Sequence, residues 1–290
     1  MNKIIILYLI LFLSCNKSNF LDSHSSFPLS EEFKNYWFDG KAEISNYILT
    51  QSRYGSIRKG SAVLIYVTED FLPKKQVKAN KKTKYTQNIL KLNRTKKFLT
   101  GIYPYSIMTS IFSRLGQNLP LIKTSTSIQE WCGQTYLQIN RRKTLEITGH
   151  SYFEEEADEM FNLKNDLTEE ELWVWIRTQH KILPQGKKEL LPSLEYLRMN
   201  HKPIKFYEAV LDLKNNDTLN IYSLYYPELK RKLSIYYEPN HPYQILKWNE
   251  YDLENEKIIS SAVLEKMIKL PYWELNKIED EHFRDSLNLK

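Results

Sequence analysis

The sequence predicts a mainly β (α+β) protein, an antiparallel curved sheet or open barrel with a helical insertion around residues 166–200. Three observations carry this expectation. Residues 122–132 alternate with period two, Ile122, Thr124, Thr126, Ile128, Glu130 and Cys132 on one side and Lys123, Ser125, Ser127, Gln129 and Trp131 on the other. The composition has 20 Tyr, 12 Phe and 6 Trp against 8 Gly, and flat half-buried rings suit pleated surfaces. A capping-box pattern, Thr168-Glu169-Glu170-Glu171, opens the single strong helix signal.

Along the chain, a short segment at Phe33 to Phe38 leads to the Asp39-Gly40 turn, after which Lys41 to Ser45 alternates as a half-buried strand. Ser61 to Thr68 is rich in β-branched residues and reads as a central strand that Pro73 ends. The stretch Pro73 to Asn88 reads as an inserted loop, since strand patterns resume after it. Tyr136 to Asn140 and Leu145 to Ser151 flank the basic tip Arg141-Arg142-Lys143-Thr144 of a hairpin. In the helical insertion the acidic residues after Thr168 complement the helix dipole, and Leu172, Trp175, Ile176 and Gln179 mark one stripe until Pro184 stops it. This predicts an amphipathic helix covering one side of the sheet. The Pro-punctuated stretch Leu183 to Pro203 holds room for a second short helix. Ile204 to Leu213 and Thr218 to Tyr226 form a hairpin about Lys214-Asn215-Asn216-Asp217, whose Asn and Asp tolerate a left-handed turn backbone. Leu233 to Tyr237 and Tyr243 to Trp248 read as strands, while Lys257 to Val263 fits a strand or a helix.

The first 30 residues carry a different message. Lys3 precedes an uncharged run from Ile4 to Leu13, followed by Ser14 and Cys15, the layout of a secretory signal. The run is about half of the roughly 20 residues that cross a bilayer as a helix. Phe12-Leu13-Ser14-Cys15 resembles a lipobox, with Phe12 where Leu is usual. The expected organisation is a lipoprotein signal peptide over residues 1–14, a lipidated Cys15 with a polar, Ser-rich tether over residues 15–30, and a single β-rich envelope domain over residues 31–290. Such a protein sits in the bacterial cell envelope, as an outer-membrane lipoprotein facing the periplasm. With Cys15 lipidated, Cys132 is the one remaining cysteine, so no intramolecular disulfide is available.

The formal net charge of +6 falls short of the dense basic surfaces of nucleic-acid binders, so no nucleic-acid partner is expected. P-loop, G-x-G-x-x-G, G-x-S-x-G, H-E-x-x-H and paired C-x-x-C motifs are absent, and no cofactor is expected. Three constellations remain. Cys132, a candidate nucleophile, has His150 on a neighbouring strand as a candidate base; the alternative is a small hydrophobe beside a satisfied histidine. Glu154, Glu156 and Asp158 offer oxygens for a Ca²⁺ site, without the order of an EF-hand loop; the alternative is a solvated acidic turn. Lys74, Lys75, Lys78, Lys81, Lys82 and Lys84 form a basic loop suited to an anionic leaflet or to the mouth of an apolar site for an acyl chain with an anionic head.

Several segments together resemble a known family. They are Trp37 to Ile44, Arg53-Tyr54-Gly55, Gly60 to Asp70, Lys75 to Lys78, Gln129 to Gly133, His150 to Glu154, Glu156 to Asp158, Tyr272-Trp273 and Arg284-Asp285. They resemble a family of bacterial envelope lipoproteins commonly labelled "septum formation inhibitor Maf". The Maf nucleoside triphosphate pyrophosphatases proper are cytoplasmic α/β enzymes with a Ser- and Arg-bearing phosphate motif near the first strand. No segment here matches that motif, so the resemblance implies an envelope lipoprotein and carries over no catalytic residue. The function expected is therefore a membrane-anchored binding module for a hydrophobic ligand or an envelope protein. The alternatives are an envelope hydrolase using Cys132 and His150 and, third, the pyrophosphatase or septum role that the label suggests.

Overall fold

A computed structural model describes residues 28–289. Helix α1 (Glu31–Trp37), whose first turn is held by Ser30 accepting from the Phe33 amide, precedes the strands β1 (Ala42–Arg53), β2 (Ser56–Leu72), β3 (Val77–Lys78), β4 (Gln87–Thr100) and β5 (Tyr103–Arg114). Next come β6 (Leu121–Glu130), β7 (Gly133–Arg141), β8 (Leu145–Ser151), β9 (Glu159–Leu163), helix α2 (Glu169–Gln179), β10 (Gly186–Leu190) and helix α3 (Leu194–Met199). The chain finishes with β11 (Tyr207–Lys214), β12 (Asn220–Tyr226), β13 (Arg231–Tyr237), β14 (Ile245–Asp252), β15 (Lys257–Leu270) and the short helix α4 (Phe283–Ser286). Lys257 to Val263 is thus a strand.

All fifteen strands belong to one antiparallel sheet, in the order β10-β11-β12-β13-β14-β15-β1-β2-β4-β5-β6-β7-β8-β9, with β3 paired to β2. The sheet is open. It is a run of hairpins with one long-range seam, where β15 closes on β1 through pairs such as Ala42 with Leu270 and Ile48 with Val263. From the edge strand β9 the chain passes inward as α2 and emerges at the opposite edge as β10. The segments beside the two edges meet: the Glu169 amide donates to the Leu191 carbonyl at 2.8 Å and the Leu191 amide to the Leu167 carbonyl at 3.1 Å.

The helical stripe predicted for α2 understates its burial. Every residue from Glu169 to Arg177 is buried, so α2 is the centre of the core instead of a cover on one side. The reason is that the sheet curls around it and contributes aromatic rings from many strands. Tyr47, Tyr66, Tyr222, Tyr226, Tyr237 and Trp248 of the strands, and Trp175 of α2 itself, are all fully buried. Four of the tyrosine hydroxyls are spent on backbone carbonyls or a carboxylate: Tyr66 donates to Trp173 O at 3.0 Å, Tyr47 to Ile245 O at 2.6 Å, Tyr222 to Pro184 O at 2.7 Å and Tyr226 to Glu169 at 2.7 Å. A second, smaller cluster on the outer face joins Ala42, Ile44 and Val67 to Leu287 of the C-terminal segment.

The strand ends define two poles. At one lie the start of β1, α1, the β2–β4 connection and the β7–β8 tip; at the other lie the β1–β2, β4–β5 and β6–β7 turns. We call these the Ala42 pole and the Arg53 pole. Among the described residues no helix is long and apolar enough to cross a membrane.

Candidate functional site

The first turn of α2 organises the interior. Glu169, Glu170 and Glu171 are consecutive, so successive side chains leave the helix about 100° apart, and each reaches a different arginine. Glu169 takes Arg231 of β13 through Nη1 and Nη2 at 2.5 and 2.7 Å, with the Tyr226 hydroxyl donating at 2.7 Å. Glu170 faces Arg94 of β4 at 3.4 Å. Glu171 takes Arg141 of β7 at 2.9 and 3.1 Å and accepts from the Thr168 amide at 2.8 Å, the backbone half of the predicted capping box. At the other end of the helix, Arg177 makes a two-pronged pair with Glu43 of β1, both bonds at 2.7 Å. Burial alone would raise the carboxyls of Glu43 and Glu169, but Arg177 and Arg231 respectively outweigh it and hold both below the ordinary value. Glu170 goes the other way, because burial there exceeds the pull of Arg94.

Glu170 also builds the site. Its Oε1 accepts from the Ser193 hydroxyl at 2.9 Å and the Leu194 amide at 3.0 Å, which fixes the start of α3. Glu195 of that helix binds Lys96 at 2.6 Å and Arg94 at 3.4 Å. Its carboxyl is held low, burial being outweighed by Lys96 and Arg94. At the last turn Arg53 Nη1 donates to the Met199 carbonyl at 2.8 Å, a favourable place for a cation. Around this junction is a small cavity of about 50 Å³ lined by Arg94, Lys96, Glu169, Glu195, Arg231 and Glu250. Its lining is charge-paired.

Outside it, at the Arg53 pole, is an apolar cleft of about 210 Å³. Tyr54, Tyr105, Ile128, Phe153 and Met199 line it, with Arg53, Arg198, Glu130, Cys132, Thr135 and His201 as its polar members. The two-residue turn Tyr54-Gly55 has φ of +52° and +71°, the left-handed pair that a tight hairpin demands. It leaves the Tyr54 ring exposed with its hydroxyl 2.8 Å from that of Tyr105. Arg53 stacks over both rings, its guanidinium carbon 4.6 and 5.3 Å from their centroids. Trp131 and Tyr152 are exposed around the same pole. Arg198 is only 9% exposed and pairs with Glu156, yet its Nε and Nη2 donors are buried with no hydrogen-bond partner. A buried guanidinium with two unsatisfied donors is costly, and an anionic group would satisfy both.

Cys15 lies outside the described residues. Cys132 and His150 line one shallow surface depression at the Arg53 pole, and both are exposed. The Cys132 amide donates to Glu130 at 2.8 Å. A hydrogen bond from the thiol to Glu130, and that carboxylate's charge, push the thiol above its ordinary value. This disfavours the thiolate that a nucleophile needs. His150 sits 3.3 Å from Asp158. Glu154, Glu156 and Asp158 diverge: Glu156 binds Ser151, Arg198 and His201, Asp158 meets His150, and Glu154 faces solvent. Among the described residues no group of three or more His, Cys, Asp or Glu side chains converges as a metal site would. Lys74, Lys75, Lys78, Lys81, Lys82 and Lys84 are exposed together at the Ala42 pole, so the fold does not bring the lysine loop to the apolar cleft.

Arg53 and Arg198 were not among the sequence candidates. Arg53-Tyr54-Gly55 carried a signal, a cation and an aromatic ring at a turn; Arg198, on a short helix in a Pro-punctuated stretch, carried none. No family model matches the chain, and no curated protein matches it either.

Proposed function

We propose that this chain is a lipoprotein of the bacterial envelope, tethered through Cys15, that works by binding, and that the cleft at the Arg53 pole takes a ligand with an apolar body and an anionic head. The observation that carries the reading is the placement of Arg198. Arg198, two of whose buried donors lack a partner, lines the cleft with Arg53, Glu130, Cys132, Thr135 and His201 beside the apolar walls of Tyr54, Tyr105, Ile128, Phe153 and Met199. Apolar walls with a few convergent polar groups are the usual make-up of a ligand site. At about 210 Å³ the cleft is below the roughly 300–1,000 Å³ of pockets that enclose a drug-sized molecule. It suits a ring or a short acyl segment, the remainder of the ligand lying against Trp131 and Tyr152.

The test is calorimetric titration of the full chain with decanoate and with decanol. Decanoate is expected to bind, decanol more weakly, and Arg198→Met to remove the preference for the acid. Equal binding of both, or decanoate binding indifferent to Arg198→Met, overturns the assignment. The tether is tested separately: Cys15→Ala is expected to yield unacylated precursor or a soluble envelope species, and normally acylated, membrane-bound protein from that variant would refute it.

A further inference from the structure

We propose that the Ala42 pole is a docking surface for an anionic lipid bilayer, so that the molecule stands on the membrane with the Arg53 pole and its cleft pointing away. Three independent observations meet at this pole. The first is charge. Between Phe71 and Gln129 the sequence contains no Asp or Glu, and Lys74, Lys75, Lys78, Lys81, Lys82 and Lys84 are all exposed on the connection between β2 and β4. The β7–β8 tip adds Arg142 and Lys143, and Arg142 Nη1 donates to the Lys74 carbonyl at 3.0 Å, joining the two loops.

The acidic groups bordering the loop are largely occupied. The Glu69 side chain is 8% exposed and bound by Lys91 at 2.7 Å and Lys78 at 3.4 Å; Glu146 pairs with Arg142 at 3.0 Å; Asp70 accepts from Asn88 at 2.8 Å. Lys74, Lys75, Lys81, Lys82 and Lys84 have no carboxylate among these, and Lys84 instead lies 5.1 Å from the Tyr85 ring centroid.

The second observation is shape. The loop is a built platform. The Gln76 amide donates to the Leu72 carbonyl at 2.8 Å, the Ala79 amide to the Asp70 carbonyl at 2.8 Å, and Lys123 Nζ to the Gln76 carbonyl at 3.2 Å. Gln76 and Ala79 are buried beneath it. On top stand Val77, 45% exposed, and Tyr85, 65% exposed. An aliphatic and an aromatic side chain set among lysines suit an interface where rings enter the headgroup layer and ammonium groups meet lipid phosphates. That combination selects a bilayer over an acidic polymer, which has no layer for Val77 and Tyr85 to enter.

The third is the path of the chain. Residues 28–38 arrive at this pole, with the Thr68 hydroxyl donating to the Trp37 carbonyl at 2.8 Å, only a few residues of β2 from the loop. Glu32, near the start of α1, lies 3.6 Å from His241 in the β13–β14 connection at this same pole, so a tether attached ahead of α1 would hold this pole toward the membrane. The orientation rests on that tether reading; the attraction of the loop to an anionic bilayer does not.

The experiment is hydrogen exchange read by mass spectrometry on the full chain, with vesicles of phosphatidylcholine alone and with 30 mol% phosphatidylglycerol. Amides of residues 74–86 are expected to exchange at least about tenfold more slowly on the anionic vesicles, an effect that falls away in high salt. Those of residues 131–133 at the opposite pole are expected to be unchanged. The variant with the six loop lysines changed to Gln is expected to lose the protection, and Tyr85→Ser to weaken it. Equal protection on both vesicles, protection surviving in the six-fold variant, or protection at residues 131–133 instead overturns the proposal. Salt-resistant association of the full chain with vesicles reports the lipid anchor alone, so failure of the tether and failure of the docking surface are read separately.

Discussion

Arg177 of α2 and Glu43 of β1 form a fully buried, two-pronged ion pair, both bonds at 2.7 Å, across 134 residues of sequence. The Arg177 guanidinium also lies 5.1 Å from the Trp37 ring centroid and 4.6 Å from that of Tyr66. The pair thus pins one end of the central helix to the strand that carries the β15 seam. Removing one partner leaves an uncompensated buried charge, so Arg177→Ala is expected to cost about 3–5 kcal/mol in chemical denaturation. Replacing both partners, as Arg177→Met with Glu43→Leu, is expected to cost less than Arg177→Ala alone. A double variant worse than the single would contradict this.

Consecutive glutamates of α2 are expected to behave oppositely. Glu169 is held low by Arg231 and Glu170 is raised by burial. Glu169→Gln should therefore lose about 3 kcal/mol at pH 7, and Glu170→Gln no more than about 1 kcal/mol. Equilibrium unfolding of the two variants in urea decides it.

The pH dependence follows from the same shifts. Glu43, Glu169 and Glu195 have depressed carboxyl values in the fold, so their stabilisation is present above the unfolded value of about 4.3 and is lost as pH falls through the depressed values. Glu170, being raised, contributes with the opposite sign, its stabilisation present below the unfolded value and lost as pH rises through the folded one. Stability is expected to hold between pH 7 and about 5 and to fall steeply below about pH 4. Glu170→Gln should remove its share of any gain on mild acidification, a difference visible in thermal melts taken across that range.

Cys132 is exposed, but Glu130 pushes its thiol above the ordinary value. Alkylation by iodoacetamide at pH 7 is expected to be slower than that of a free cysteine, and Glu130→Gln to speed it several-fold by releasing the thiolate. Unchanged rates in the variant would show that the carboxylate has no hold on the thiol.

Gly60 has a steric reason to be glycine. A Cβ there would meet the Lys97 carbonyl oxygen at 2.1 Å and Phe98 Cβ at 2.9 Å, and Phe98 stacks on Tyr105, a wall of the cleft. Gly60→Ala is expected to cost about 3 kcal/mol, the upper range for overpacking, and to weaken decanoate binding in parallel. A melting temperature equal to that of the parent would show that the β2–β4 pairing yields more easily than the geometry implies.

What sequence alone determined is what short-range pattern encodes. The alternation over residues 122–132 became β6 and the turn after it, Ser61 to Thr68 lies inside β2, the Asn-rich turn separates β11 from β12, and Thr168 with Glu171 opens α2. In each, local propensity and burial agree. Tertiary structure decided the elements where they conflict. In β4 the inward positions are Leu90, Leu92, Arg94, Lys96 and Phe98, all buried, so two cations interrupt the apolar alternation and no strand stands out until Glu170 and Glu195 are known to face them. The three glutamates of α2 likewise look like a solvated first turn. They are the centre of the core because Arg231, Arg94 and Arg141 arrive from strands far away in sequence. Charges can be buried only where a partner is fixed in space, and the register of a fifteen-stranded sheet, which no local pattern contains, is what fixes those partners. The same register set the lysine loop and the apolar cleft at opposite poles.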